Sequence, residues 1–395
     1  MGNPIRDLWF QTTVAPYYQP HSLSTIDCKK FGELLPVLDY SGPMGKQKPD
    51  HSATQATLEP GRKARTLVEL GKLAGVSSAT ASRALADDPL VNAKTRETIK
   101  ALAREHGFRP NQMARRLRIQ KTGVIGVVIP LGHDRRQHIS DPFFMTMLGH
   151  LADALTESGQ SLMLSRAIPE EDPEWLERLT GSGMVDGVLM IGQSDQYETI
   201  EKLAAHYRPL VVWGTHLKGQ RHIAVGSDNL AGGRMAAEHL LERGRRSLAF
   251  LGDLRGIEIG ERFIGAQQAV AAFDRNANLH HLPVHLSTDD MTDEIAVGLE
   301  GLADQIDGII AASDVIALAA IRQLHERGLS VPSEISVVGF DDLPLARQAV
   351  PQLTTIRQDI GRGAQAMVER LQALISGKPA ESLVMLPEIM VRSST

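Results

Sequence analysis

A chain of 395 residues is too long for a single ordinary hydrophobic core, so two or three domains are expected. Hydrophobic residues make up 42% of it, and no apolar run approaches the ~18 residues of a membrane span. The N-terminus has no apolar segment behind basic residues, which argues against a secretory signal. The single Cys28 excludes an internal disulfide and a cysteine metal cluster. These features predict a cytoplasmic protein.

The net charge of −5 is unevenly distributed along the chain. Residues 61–123 carry 14 Lys and Arg against 5 Asp and Glu, whereas the residues that follow are strongly acidic. A compact basic segment on an acidic body is the electrostatic signature of a protein that binds a polyanion. A solvated charged face is the simpler alternative.

Residues 1–60 differ from the rest, since they contain scattered Pro and Gly and no sustained periodicity. We expect a disordered or atypical N-terminal extension. One hypothesis is that Met44 is the true start of the protein. A peptide from residues 1–40 in the mass spectrum of the native protein would exclude it.

The basic segment is predicted to be all-α. Apolar spacing and caps predict three helices, over about 67–74, 78–86 and 93–106. Ser77 and Asn92 can cap the second and third helices, and Gly107 suits the left-handed position after the third. We assign Leu70, Leu73, Val76 and Leu85 to the core of this domain, residues 61–109. A short basic helix, NQMARRLR, follows Pro110 within a linker over residues 110–122.

From residue 123 onward, short apolar runs alternate with amphipathic helical segments. This alternation is typical of parallel sheets with helices on both faces. Eight such runs over some 270 residues exceed one doubly wound unit, so two α/β lobes with a cleft between them are expected. We place the first lobe at about 123–224 and 357–380, and the second at about 225–353 and 381–395. The runs begin at residues 123, 161, 187, 209, 222, 247, 308 and 335.

Several stretches, in this order, resemble the lactose-repressor (LacI/GalR) family of bacterial transcription regulators: TLVELGKLAGVSSATASRAL, FRPNQMARRLR, DGVLMIG, AASDVIALAAIRQL and ISVVGFDD. The resemblance covers nearly all of residues 66–395. It implies a helix-turn-helix headpiece and a hinge helix that bind operator DNA as a homodimer. It also implies a core like a periplasmic sugar-binding protein that binds a small effector, with no cofactor and no catalytic or metal site. A repressor is therefore expected.

In a helix-turn-helix, the second helix lies in the major groove. Ser78 and Ala79 then face the bases but can read them only modestly, whereas Arg83 can bond bidentately to guanine. The polar residues around them are expected to bind DNA, most of them through phosphates. The alternative is that the hydroxyls only cap helices. These residues are Thr66, Ser77, Thr80, Ser82, Asn92 and Thr95.

The resemblance also implies that Asn111, Ala114 and Leu117 face the minor groove, with Leu117 wedged between base pairs. Arg115, Arg116 and Arg118 would hold phosphates. An eight-residue helix is marginal in water, so we expect it to order only on DNA and beside its dimer partner. The alternative is that Leu117 is a buried linker residue.

Ligands of open α/β lobes bind at the carboxyl ends of the strands. The resemblance implies that Arg262 grips the effector and that Asp341 pairs with a ligand hydroxyl, while Ser313 departs from the Asn of many relatives. Roles in the fold are the alternative for some of these residues. Either Phe143 or Phe144 can belong to the hydrophobic core, as can Trp213, and Asp228 can cap a helix. A sugar is favoured, and a purine or nucleoside is the alternative. The other predicted effector residues are Asp141, Phe143, Phe144, Gln193, Asp314 and Phe340.

Two other classes of protein compete with this interpretation. An enzyme would need a catalytic motif, and the only candidate, GRGAQA at 361–366, does not follow a long predicted strand. His133 and His138 lie in a polar loop and are more typical of solvated residues than of metal ligands. A secreted solute-binding protein would need a signal peptide and no basic headpiece.

The wedge role of Leu117 gives the first testable prediction. Leu117→Ala is expected to weaken operator binding strongly, because an apolar wedge stabilises the bent DNA that the headpiece grips. Effector binding should not change. Operator affinity measured by gel shift tests this, and unchanged affinity would show that Leu117 is not the wedge.

Overall fold

The computed structural model describes Ala64 and residues 66–108, 121–130, 139–169, 172–193, 195–273, 275–286 and 290–395. The N-terminal domain contains α1 (Leu67–Leu73), α2 (Ser78–Leu85) and α3 (Ala93–Glu105). These helices confirm the three predicted ones to within one residue. The expectations for residues 1–60, for the loop with His133 and His138, and for the hinge lie outside the described residues. The hinge residues concerned are Asn111, Ala114, Arg115, Arg116, Leu117 and Arg118.

Polar side chains fix where the headpiece helices begin. Thr66 Oγ1 accepts from the Glu69 amide at 3.1 Å, and Ser77 Oγ accepts from the Thr80 amide at 3.1 Å. Asn92 Oδ1 accepts from the Lys94 amide at 2.9 Å. Each bond satisfies an amide that the helix leaves without a partner, so both predicted caps are confirmed.

Gly107, with φ +58°, follows α3 in the predicted left-handed conformation. The small core beneath the headpiece helices is centred on Leu70, Ala81, Ala84 and Ile99, which are fully buried. The other three residues assigned to this core are partly buried against it, and they are Leu73, Val76 and Leu85.

The first lobe is built on a six-stranded parallel sheet with the order β11-β5-β4-β3-β1-β2. Its strands are β1 (Val124–Pro130), β2 (Ser161–Ala167), β3 (Gly187–Ile191), β4 (Leu210–Trp213), β5 (Ile223–Ser227) and β11 (Leu383–Met385). Its helices are α4 (Pro142–Glu157), α5 (Trp175–Gly181), α6 (Tyr197–Ala204) and α12 (Ile360–Ile375). The central strands β3 and β4 are buried along their whole length, as expected for a sheet covered on both faces.

The second lobe repeats this plan with the order β12-β10-β9-β8-β6-β7, in which only β12 is antiparallel. Its strands are β6 (Ser247–Leu251), β7 (Asn278–Leu282), β8 (Gly308–Ala311), β9 (Ser336–Asp341), β10 (Thr354–Arg357) and β12 (Glu388–Met390). Its helices are α7 (Asn229–Glu242), α8 (Ile257–Phe273), α9 (Met291–Glu300), α10 (Asp314–Glu326) and α11 (Pro344–Gln348), with a 3-10 turn at Ala303–Gln305. Within the described residues, none of the helices has the length and apolar character needed to span a membrane.

All eight predicted strands are present, but the predicted lobe limits are wrong by a few residues. Strand β5 pairs with β4, so the first lobe extends to residue 227 rather than 224. Strand β10 pairs with β9 in the second lobe, and β11 pairs with β5 in the first. The chain therefore crosses between the lobes after residues 227, 357 and 385.

Helices α7 and α8 cross with their backbones in contact. A Cβ atom on Gly233 would lie 1.8 Å from the Arg262 carbonyl oxygen, and one on Gly265 would lie 2.0 Å from the Leu230 carbonyl oxygen. Only glycine permits so close an approach of two helices. The crossing fixes the position of the turn of α8 that carries Arg262.

We predict that Gly233→Ala lowers the free energy of unfolding by about 3 kcal/mol or more, because the helices must separate to admit a methyl group. Urea unfolding measures this change. Gly149→Ala on α4 is the matched control, since no atom lies within 4 Å of its Cβ position. The control is expected to gain about 0.5–1 kcal/mol from helix propensity. Equal stabilities of the two variants would contradict the tight crossing.

Candidate nucleic-acid interface and effector cleft

Helix α2 presents its first turn and Arg83 to solvent. Ser78 and Ala79 are exposed, and the Arg83 side chain is 61% exposed. The Arg83 Nε atom lies 4.0 Å from Asp88 Oδ2, a contact too long and too exposed to hold the guanidinium strongly. The side chains predicted to read bases are therefore available to a partner.

The predicted phosphate-binding residues cluster at helix N-termini. Thr66, Ser77 and Asn92 are exposed caps of α1, α2 and α3, where free amides and the helix dipole favour an anion. Thr80 Oγ1 lies 2.9 Å from Ser77 Oγ, so these two hydroxyls form a pair at the start of α2. Ser82 and Thr95 are half-buried.

A cleft with a cavity volume of about 120 Å³ lies between the two lobes at the carboxyl ends of their strands. Seven of the eleven predicted effector residues line it: Asp141, Phe143, Phe144, Trp213, Arg262, Ser313 and Asp341.

The first lobe contributes an aromatic wall. The rings of Phe143 and Phe144 meet edge to face with centroids 5.8 Å apart, and the Phe143 and Trp213 centroids are 6.3 Å apart. Asp141 caps α4 by accepting from the Phe143 amide at 2.8 Å, which places both phenylalanines in the first turn. Trp213 is only 4% exposed, so it serves both the core and the cleft.

Arg262 is held in place in the second lobe by protein contacts. Its Nε donates to Asn229 Oδ1 at 2.9 Å, and its Nη1 donates to the Ala312 carbonyl at 2.6 Å. The guanidinium also lies 3.7 Å from the centroid of the Phe340 ring, a cation–π contact. Asn229 in turn donates to Thr215 Oγ1 at 3.0 Å, which connects this network to the first lobe.

Asp341 lies at the end of β9 in a strained backbone. Its φ of +119° is disfavoured for a residue with a side chain, and such outliers concentrate at functional sites. Its Oδ1 accepts from Gln358 Nε2 at 2.6 Å. The next residue, Asp342, is held by Arg357, Arg347 and Arg392, and these ion pairs anchor the turn that presents Asp341.

Glu258 is a cleft residue that the sequence analysis missed. It lies one helical turn before Arg262 on α8, and this spacing places both side chains on one face. Its Oε1 atom is buried and has no hydrogen-bond partner among the described residues. A buried carboxylate oxygen without a donor is costly, so a ligand hydroxyl or amine would stabilise it.

Four predicted effector residues lie outside the cleft lining, and each of them contributes to the fold. Gln193 Nε2 donates to the Thr215 carbonyl at 2.6 Å. Asp228 caps α7 through the Ala231 amide, the simpler role left open above. Asp314 accepts from the Leu343 amide and from the Thr355 hydroxyl. The Phe340 ring packs against the guanidinium of Arg262.

Ser313 keeps a place at the cleft while its hydroxyl caps α10 by accepting from the Ile316 amide at 3.2 Å. Gln358 and Leu286 also line the cleft and were missed. Gln358 follows β10 and Leu286 follows β7, two strands that had not been recognised as such. A strand assignment at those two places would have pointed to both residues.

Burial raises the pKa of three carboxyl groups in the cleft: Asp141, Glu258 and Asp341. For Asp341, burial raises the pKa to about 7, although Arg262 and Gln358 act in the opposite direction. The cleft therefore contains acids that a hydrogen-bond donor on a ligand would help to ionise.

These shifts predict how stability depends on pH. The unfolded Asp341 ionises near pH 4, whereas the folded one retains its proton to about pH 7. The contribution of Asp341 to the free energy of unfolding is therefore fully present below pH 4. It decreases by up to about 4 kcal/mol as the pH rises to 7. Asp341→Asn should gain stability relative to the parent across this window in urea unfolding. A difference that does not vary with pH would contradict the assignment.

Two sequence families match the chain. Residues 66–111 match the bacterial regulatory proteins of the lacI family, and residues 237–395 match a periplasmic binding protein-like domain. The regulator CelR of Thermobifida fusca is 30% identical over 342 residues, which cover 84% of this chain and 99% of the relative. The regulator GntR of Pseudomonas aeruginosa is 32% identical over 339 residues, with 84% and 95% covered.

Solved structures agree with these matches. The complex of CelR with cellobiose has a TM-score of 0.60 at 28% identity and covers 84% of this chain and 99% of its own. The lac repressor dimer bound to operator and an anti-inducer has a TM-score of 0.73 at 24% identity, over 83% of this chain and 98% of its own. At this level of identity, the similarity to the lac repressor shows a shared fold. On the length and identity of these matches, the chain belongs to the LacI family of bacterial transcription regulators, which are not enzymes.

Proposed function

We propose that the protein is a cytoplasmic repressor that binds operator DNA as a homodimer, and that a neutral sugar in the interlobe cleft sets its affinity for DNA. The cleft carries this proposal, because an aromatic wall from one lobe faces carboxyl groups and a braced guanidinium from the other. Aromatic rings pack on the apolar faces of a sugar ring. Carboxylates and arginine bond to its hydroxyls.

The charge of the cleft favours a neutral ligand over an acidic one. Asp141, Glu258 and Asp341 accept hydrogen bonds when ionised, and among the described lining residues only Arg262 carries a positive charge. An acidic sugar or a nucleotide would bring further negative charge toward three carboxyl groups. CelR and a regulator from Enterococcus faecium were solved with cellobiose and ribose, which supports a neutral sugar.

The start of β1 is the point through which a change in the cleft could reach the headpiece. Asp186 accepts from the Thr122 amide and hydroxyl and from the Gly123 amide at 2.7 Å, which fixes the chain where it enters β1. The hinge helix and linker predicted over residues 110–122 end at this anchor. Closure of the lobes around a ligand would move this anchor. The movement would shift the folding equilibrium of the hinge helix, which is only marginally stable.

An exposed apolar groove on the second lobe is suited to self-association. The groove includes Leu318, Ile321 and Leu345, beside Val350, which is 93% exposed. Exposed apolar patches of this kind mark protein interfaces. The lac repressor, which shares this fold, was solved as a dimer.

Two measurements test the proposal. A thermal-shift screen against cellobiose, ribose, gluconate and adenosine identifies the ligand class, since a ligand of the folded state raises the melting temperature. We expect a neutral sugar to stabilise the protein and gluconate to have little effect. A response to adenosine alone would favour the nucleoside alternative. Gel shifts on the DNA upstream of its own gene test the regulator role, and no binding at low salt would contradict it.

Arg83 provides the sharpest test of base reading. Arg83→Ala is expected to raise the operator dissociation constant by about 5- to 150-fold, because a bidentate arginine–guanine contact contributes about 1–3 kcal/mol. Binding to unrelated DNA should change far less. Arg234→Ala on α7 removes the same charge outside the headpiece and outside the proposed interface, and serves as control. Equal losses on operator and unrelated DNA would show that Arg83 contacts only phosphate.

A further inference from the structure

A second cavity lies in the first lobe, at the opposite end of the sheet from the cleft. Its volume is about 110 Å³, and it shares no lining residue with the cleft. Leu210 and Ile223, the first residues of β4 and β5, line it, together with Leu374 near the end of α12. The cleft instead lies at the other ends of the strands, where Trp213 ends β4.

Two polar atoms of the cavity wall are buried without a partner among the described residues. They are the Tyr207 hydroxyl and His222 Nε2. His222 is only 3% exposed, and its Nδ1 lies 2.7 Å from Glu201 Oε1. The carboxylate therefore engages one ring nitrogen and leaves the other for a ligand. Burial of this kind is costly unless a partner is supplied.

The charge of the cavity wall is positive. Arg208 and Arg221 are exposed at its rim, and their guanidinium groups form no hydrogen bond or ion pair with the described residues. No described acidic residue lines the cavity. The nearby carboxylate of Glu201 already accepts from the Arg221 amide, the His222 amide and the His222 ring.

We propose that this cavity binds a small phosphate-type oxyanion, either free phosphate or the phosphoryl group of a monoester. Two free guanidinium groups match such an oxyanion in charge and in geometry. The Tyr207 hydroxyl can donate to a phosphoryl oxygen. His222 Nε2 can accept from a P–OH group, or donate when the ring is protonated. One water molecule needs about 10–15 Å³ by the same measure, so a cavity of about 110 Å³ has room for a phosphoryl group.

The Tyr207 hydroxyl remains a donor at neutral pH. Burial, with a smaller contribution from the negative charge of Asp186, raises the pKa of Tyr207 to about 12. Asp186 is also the residue that anchors Thr122 and Gly123 at the start of β1. An anion in this cavity would thus bind close to the point where the linker joins the lobe.

The test is calorimetric titration of the full-length protein with sodium phosphate, with glycerol 3-phosphate and, as controls, with sodium chloride and glycerol. We expect both phosphate compounds to bind and both controls to be silent. Tighter binding of the ester would identify a phosphorylated metabolite as the ligand, and equal binding would identify free phosphate. No binding of either compound through the millimolar range would overturn the proposal.

Variants separate this cavity from the basic headpiece, which also attracts phosphate. Arg208→Gln and Arg221→Gln should each weaken binding by about 10- to 150-fold, as expected for the loss of a charge-assisted hydrogen bond. Tyr207→Phe should weaken it by about 5- to 10-fold without lowering the melting temperature of the free protein, since it removes a hydroxyl that has no partner. Arg234→Gln, which lies outside the cavity and outside the proposed interface, should bind as the parent does. Equal binding by all four variants would place the phosphate elsewhere and overturn the assignment.

Discussion

The arrangement of the cleft depends on the contacts that hold the buried guanidinium of Arg262. Its position is set by the backbone contact between α7 and α8, because only the glycines at 233 and 265 let the two helices approach so closely. Its orientation is set by Asn229, the Ala312 carbonyl and the Phe340 ring. A buried charge requires such partners, and the same partners hold it ready for a ligand before one arrives.

The surroundings of Arg262 connect ligand binding to the relative position of the lobes. Asn229 bonds Thr215, which belongs to the first lobe and also donates to Glu261 of α8 at 2.7 Å. The three chain crossings and the packing of Leu343 against the core of the first lobe also join the lobes. Under the proposed function, a ligand that contacts Arg262 on one side and the aromatic wall on the other would act across the junction of the lobes, and the Asp186 anchor would carry the change toward the linker.

The sequence predicted eight of the strands and the three headpiece helices, because apolar runs and capping residues are local signals. It missed the strand at 278–282, whose NLHHL pattern is polar, and the short strands near the C-terminus, which only long-range pairing creates. The same limit applies to the site. Arg262 and Asp341 came from resemblance, whereas the unpartnered oxygen of Glu258 and the roles of Asp314 and Gln193 follow from contacts that no local pattern encodes.

Under the proposed function, the cleft and the headpiece share one conformational equilibrium. Because such coupling is reciprocal, it can be tested by measuring the dissociation constant of the stabilising sugar with and without saturating operator DNA. We expect DNA to change this constant by about 5- to 150-fold. Identical constants in the two conditions would show that the sugar does not control DNA binding.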